Sequence, residues 1–304
     1  MSIKKNLIVN AATLLFACMS IRPSASNAQL TFQFTDINVP GGLYPSALGI
    51  NNARMVSGNY LDADNLSAGF IESKGGFTQV SLPLDVAPSG AEISDVNNPG
   101  TGVGGYPDQS GVWHSFIRTA AGAIEYEPEA FPDGPAPWTY MFHINNRGVV
   151  AGFGGSGADP TQADWRPFIW ENGQYTILNI PGALYGIALG INDHNDVVGW
   201  YADASFTVHG YVKKGDVYTT FDVPGALYTN PFGINNKGQI VGGYWDGQVW
   251  HGFLFSDGAF YTVDYPGHTN NELWDINDHG QAAGVYDLGN DAYVVNISRK
   301  QGPL

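Results

Sequence analysis

A single cysteine, Cys18, stands in the whole sequence, and it lies within the first 28 residues. The remainder therefore has no disulfide, no thiol nucleophile and no cysteine-based metal centre. Basic residues are also scarce. Thirteen Lys and Arg face 28 Asp and Glu, for a net charge of −15. That balance argues against nucleic acid and anionic membrane surfaces as partners. No apolar run reaches the ~20 residues that a membrane-spanning helix requires. Disorder is excluded too, because 43% hydrophobic and 13% aromatic residues suffice for a packed core. What the chain has in excess is glycine, 40 residues, together with 18 prolines. Many tight turns follow, and with them β structure.

Residues 1–28 read as an export signal. Lys4 and Lys5 give a positive start, Leu7 to Ala17 is mostly apolar, and Ser26 and Ala28 are small where a signal peptidase cleaves. Cleavage is expected after Ala28, leaving residues 29–304 as one secreted or periplasmic domain. Loss of Lys4, Lys5 and Arg22 takes the net charge from −15 to −18. The alternatives are a short membrane anchor and a lipoprotein, since Leu15-Phe16-Ala17-Cys18 loosely matches a lipobox.

The mature segment is a repeat. An Ile-Asn or Val-Asn pair recurs with its Asn at Asn51, Asn97, Asn145, Asn192, Asn235 and Asn277. Seven residues after each stands a glycine: Gly58, Gly104, Gly152, Gly199, Gly242 and Gly284. Tyr60, Tyr106, Tyr201, Tyr244 and Tyr286 follow two places later, and Asp62, Asp108, Asp203 and Asp246 after those. Next comes a triplet whose fullest forms are His114-Ser115-Phe116, His209-Gly210-Tyr211 and His251-Gly252-Phe253. A Pro-Gly then precedes the next unit, with Pro40, Pro181, Pro224 and Pro266 each ten residues before the Ile. The unit resembles the extracellular HAF repeat, named for a His-Ala-Phe triplet. That family carries no single assigned activity, so the likeness implies a repeat and an exported protein rather than a chemistry.

Each unit holds four short strands. Three connections are hairpin-like, with Asn172-Gly173 and Asp257-Gly258 as tight turns. The fourth, from Val223 to Asn230, is longer and carries the proline. A long link suits an outer strand crossing to the innermost strand of the next blade. The expected fold is therefore all-β, a six-bladed β-propeller, with an open solenoid or sandwich as the alternative. The phase of the repeat leaves the sixth blade short of its outer strand. Phe32 to Asn38 is expected to supply it and close the ring. A monomer is expected.

No strong catalytic motif appears. The repeated His and Asp are expected to brace their blades, because a residue needed in every blade is rarely a site. Sites are better sought where the repeat breaks. Two places before the repeated Asn, three units have Gly49, Gly190 and Gly233, whereas the others have Asp95, His143 and Asp275. Glu92 and Glu272 stand three residues before the two Asp. Asp95, His143 and Asp275 are candidate catalytic groups. Glu92, Asp95, Glu272 and Asp275 are candidate metal ligands, with Ca²⁺ or Mg²⁺ the suited ions. The competing reading is a hydrated acidic channel with no task. The divergent third unit adds Trp138, Tyr140 and Trp165 as a candidate aromatic platform for a sugar, or as gap fillers between blades. Three functions compete: a binding or scaffold protein for a carbohydrate or protein partner, a polysaccharide hydrolase or lyase, and a structural ring paired with another exported protein.

Overall fold

In a computed structural model, residues 30–126, 138–155, 165–287 and 291–299 are described. The segment 1–28, expected from sequence to be an export signal, and parts of the third unit around Pro132 and Asp159, lie outside these residues. Strand β1 (Leu30–Ile37) comes first, followed by six sets of strands in strict chain order. Blade 1 comprises β2 (Leu43–Ile50), β3 (Val56–Leu61), β4 (Ser67–Ser73) and β5 (Gly76–Val80). Blade 2 holds β6 (Glu92–Val96), β7 (Gly102–Pro107), β8 (Trp113–Arg118) and β9 (Ile124–Tyr126). In blade 3 these are β10 (Trp138–Ile144), β11 (Val150–Gly155), β12 (Arg166–Glu171) and β13 (Gln174–Ile177). Blade 4 has β14 (Tyr185–Ile191), β15 (Val197–Ala202), β16 (Val208–Lys214) and β17 (Val217–Phe221). Blade 5 has β18 (Tyr228–Ile234), β19 (Ile240–Trp245), β20 (Trp250–Ser256) and β21 (Ala259–Thr262). Blade 6 runs β22 (Glu272–Ile276), β23 (Gln281–Tyr286) and β24 (Asp291–Arg299), and takes β1 as its outer strand. The structure is the six-bladed propeller that the repeat phase implies. No helix among the described residues is long and apolar enough to cross a membrane.

The repeated residues now have physical reasons. The glycine seven after each Asn sits mid-blade on the second strand, between the first strand and the aromatic of the triplet. A Cβ there would strike the backbone oxygen of Ser46, Glu92, Tyr140, Ile187, Asn230 or Glu272 in the respective blade. It would also press on the ring of Phe70, Phe116, Phe168, Phe253 or Tyr293 in five of the six. Those rings, with Tyr211, are the largest fully buried side chains. Each blade thus has one aromatic at its centre and one glycine to admit it.

Hairpin turns follow their sequence signals. Asn172-Gly173 and Asp257-Gly258 have positive φ at both residues, as the favoured two-residue turns require. Arg54 stands where other units have Gly or Asn, yet takes the same left-handed conformation, with φ of 58°. The innermost strands start earlier than the crossing-loop pattern suggests. In blade 5, β18 begins at Tyr228 because Leu227 N–H already bonds to Trp245 O at 2.8 Å.

The Asn residues seal the ring. Each Oδ1 accepts backbone N–H groups of its own turn, as Asn235 does from Lys237 and Gln239 at 3.0 Å. Each Nδ2 reaches the carbonyl of the next blade's Asn. The bonds run Asn51 to Asn97, then Asn145, Asn192, Asn235, Asn277 and back to Asn51, all between 2.9 and 3.1 Å. A second ring lies one residue on. There the backbone N–H of Asn52, Asn98, Asn146, Asp193, Asn236 and Asp278 each donates to the next side chain's Oδ1.

The triplet His residues brace the outer face. His251 lies between Asp264 at 2.7 Å and Asp246 at 3.3 Å. His209 repeats this with Asp222 at 2.8 Å and Asp203 at 3.6 Å, and His114 bonds Asp108 at 3.1 Å. Burial opposes protonation of His251, but the bonds to Asp264 and Asp246 outweigh it and raise its pKa.

Candidate functional site

All six innermost strands carry a bulge at one place, three residues before the repeated Asn. In a regular strand, alternate residues face opposite sides. The bulge breaks this alternation, so residues five, three and two places before the Asn all reach the channel. They form three layers with different chemistry.

The layer three before the Asn is mainly apolar: Leu48, Phe142, Leu189, Phe232 and Trp274, with Ser94 the one polar member. Trp274 stacks on Phe232 at 4.3 Å and 12°, and on Phe142 at 5.7 Å and 29°. Phe142 and Trp274 come from opposite blades, so the rings span the channel. This aromatic plug divides the channel into two chambers.

Below the plug is a narrow space of about 60 Å³ that opens through the Asn rings. Asp95, His143 and Asp275 lie at its inner end, each less than a tenth exposed. One ligand atom from each falls within 4.8 Å of the others. His143 Nδ1 is 3.9 Å from Asp275 Oδ1, and His143 Nε2 has no hydrogen-bond partner among the described residues. Each Asp also ties two blades. Asp95 accepts from its neighbour Val96 N at 2.7 Å and from Ile144 N of blade 3 at 2.9 Å. Asp275 does the same with Ile276 N and with Ile50 N of blade 1. Burial lifts both carboxyls to about 7. Burial lowers the His143 pKa, opposed by the charge of Asp95 and a hydrogen bond to the Leu48 backbone.

Above the plug is a larger cavity of about 390 Å³, on the face of the crossing loops. Leu48, Phe142 and Trp274 form its floor, while Glu92, Tyr140, Glu272, Trp250, Asn59 and Asn270 stand around it. The two Glu differ. Glu92 accepts a hydrogen bond from Tyr140 Oη at 2.9 Å and is within 3.5 Å of Ser67 Oγ. Burial raises its pKa against the pull of Tyr140, Asn59 and Ser67. Glu272 has no such partner among the described residues, and burial alone lifts it to about 7. Two further polar atoms of the lining, Asn59 Oδ1 and Trp274 Nε1, are buried and unpaired. The same face carries exposed apolar residues on its loops and at the first residues of its inner strands: Leu43 and Tyr44, Leu184, Phe206, and Leu227 and Tyr228.

The candidates from the sequence are thus brought together in part. Asp95, His143 and Asp275 converge, but Glu92 and Glu272 lie on the other side of the plug. The four carboxylates do not share one opening. Tyr140 lines the upper cavity, whereas Trp138 is buried edge-on to Trp165 and Phe153. Trp165 is half-buried against Trp200. Trp250 and Trp274, which are not among the platform residues expected from sequence, also line the upper cavity. Trp274 carried a signal in sequence, as the bulkiest member of the layer three before the Asn, whereas Trp250 lies outside that layer on β20.

No family model and no curated protein matches the chain. Among solved structures, it is similar to a putative gluconolactonase, at 13% identity and a TM-score of 0.52, over 90% of this chain and 94% of that one. A virginiamycin B lyase from Staphylococcus aureus, crystallised as a catalytically inactive variant with quinupristin, aligns at 12% identity and 0.51, over 88% and 99%. The Aleuria aurantia lectin in complex with Fucα1-6GlcNAc aligns at 8% and 0.51, over 81% and 89%. At these identities the likeness establishes the fold, a six-bladed β-propeller, and nothing finer.

Proposed function

We propose that this is an exported propeller of the HAF-repeat kind that binds a small carbohydrate in the cavity above the plug. One observation carries the reading. Trp250 and Trp274 share a 390 Å³ cavity with two carboxylates and two unpaired amide or indole atoms. Aromatic faces take the C–H side of a sugar ring, and carboxylates and amides accept and donate to its hydroxyls. The volume falls within the range of small-molecule sites. The lectin neighbour, crystallised with a fucosylated sugar, supports the reading by analogy of fold only. Calorimetric titration with a panel of mono- and disaccharides tests it. A millimolar or tighter ligand whose affinity falls at least tenfold in Trp250→Ala is expected. A panel without any binder, or binding indifferent to Trp250→Ala, defeats the reading.

A second reading is favoured by the unequal Glu pair. A carboxyl held near 7, facing another with hydrogen-bond support, is the arrangement of a general acid and its partner in glycoside cleavage. In that case Glu272 gives the proton, and Glu92, held by the hydrogen bond from Tyr140, is its carboxylate partner. Asp95, His143 and Asp275 are walled off from a sugar in this cavity, so the enzyme reading passes to the two Glu. Product analysis on the bound glycan separates the readings, with Glu272→Gln expected to end turnover and keep binding.

A further inference from the structure

The lower chamber has a different chemistry. We propose that Asp95, His143 and Asp275 hold one first-row transition ion, of the Zn²⁺ or Mn²⁺ kind, at the closed end of the Asn-lined channel. Three observations converge. The ligand atoms already lie within 4.8 Å of one another, on blades 2, 3 and 6. A modest contraction brings them to bonding distance of a common ion. His143 is 2% exposed, its Nδ1 stands 3.9 Å from Asp275 Oδ1, and its Nε2 is buried without a partner among the described residues. An unpaired imidazole nitrogen at such a place is costly unless something binds it.

Both carboxylates are already fixed in direction by backbone N–H groups, as metal ligands are by their outer hydrogen bonds. Each oxygen so engaged keeps a lone pair for an ion. Glycine at neighbouring places leaves them room. A Cβ on Gly49 would stand 2.5 Å from Asp95 Oδ1, and one on Gly233 would stand 3.0 Å from Asp275 Oδ1. The imidazole decides the ion. Carboxylates alone suit Ca²⁺ or Mg²⁺, whereas a nitrogen with two carboxylates favours the transition series. Asp193 and Asp278 flank the mouth of the chamber and give an inbound cation an acidic entrance. The proposal is independent of the sugar reading, because the plug separates the two chambers.

The test uses the protein stripped of metal by chelation. Zn²⁺, Mn²⁺ and Ca²⁺ are added singly while thermal unfolding is recorded. One equivalent of Zn²⁺ or Mn²⁺ is expected to bind, with Tm raised by roughly 5 °C at a hundred times Kd. The gain should vanish in His143→Gln and survive in His251→Gln, which removes an outer-face histidine. Absence of a shift with both Zn²⁺ and Mn²⁺, persistence of the shift in His143→Gln, or an equal shift with Ca²⁺ overturns the proposal. Should His143→Gln fail to fold, spin-echo spectroscopy of the Mn²⁺-loaded protein decides. A coupled imidazole nitrogen supports the site, and its absence overturns it.

Discussion

Asn277 Nδ2 donates to the backbone oxygen of Asn51 at 2.9 Å, across 226 residues of sequence, in the same way that each Asn reaches its successor. The closing contact is thus indistinguishable from the other five. Removing any member should cost alike. Asn235→Ala loses the bond to Asn277 and three bonds within its own turn, two accepted from backbone N–H groups and one donated to Gln239 Oε1. Its expected cost is about 3 kcal/mol. Urea unfolding of Asn145→Ala and Asn235→Ala checks this, and a loss below about 1 kcal/mol in both would dismiss the ring as a source of stability.

The mid-blade glycines should be less forgiving than the glycines of open hairpin turns. Gly152→Ala forces a methyl against Tyr140 O and the Phe168 ring. Overpacking of this kind costs about 1–3 kcal/mol, and more where backbone must shift. Gly173→Ala meets nothing within 4 Å but keeps φ at 80°, so its cost should be nearer to about 1 kcal/mol. Thermal unfolding of the two variants should rank them in that order.

The outer strand offers a place to lock the ring. Thr31 and Ser298 are cross-strand partners on β1 and β24, with hydroxyls 2.7 Å apart. The double variant Thr31→Cys, Ser298→Cys, in protein lacking residues 1–28, is expected to oxidise spontaneously. A loop of this length adds up to about 5 kcal/mol. Comparing Tm with and without reductant measures the gain. An unchanged Tm would mean that β1 is not part of the cooperative unit.

Stability should peak at mildly acidic pH. Glu272, Asp95 and Asp275 have folded pKa values raised to about 7. A raised carboxyl binds its proton more tightly when folded, so its contribution is full below the ordinary carboxylate range and fades as pH rises towards about 7. His251, also raised, loses its share as pH climbs through its folded value. Asp108, Asp203, Asp246 and Asp287 are lowered by hydrogen bonds to hydroxyl, backbone or imidazole partners. Their contribution is present above about pH 4 and disappears below it. Tm recorded across the range from acid to neutral pH in chelator should rise and then fall. Glu272→Gln should flatten the upper limb by at most about 1.4 kcal/mol per pH unit. A monotonic rise through neutrality would refute the assignment of the buried acids.

The ring was legible because its determinants are single residues at fixed spacing. Asn ties blades and Gly admits the central aromatic, so both recur in every unit. The meeting of Asp95, His143 and Asp275 was legible for the converse reason, since three glycine places had been exchanged for charged or polar groups. The separation of Glu92 and Glu272 from them was not legible. It depends on the bulge before each Asn and on the stacking of Phe232, Trp274 and Phe142, and no local residue pattern encodes either. Trp138 was open between two readings for another reason, because a divergent tryptophan looks the same in sequence whether it faces solvent or Phe153.

The pairing of β1 with β24 also sets an order of events in time. Leu30 and Arg299 are partners, so the sixth sheet cannot form until nearly the whole chain exists. A nascent chain must carry β1 with an unsatisfied backbone edge while five blades assemble behind it. Contacts so distant in sequence form slowly. The last step of maturation is therefore one docking event, and the window before it is when the protein is most exposed to aggregation, proteolysis and capture by chaperones.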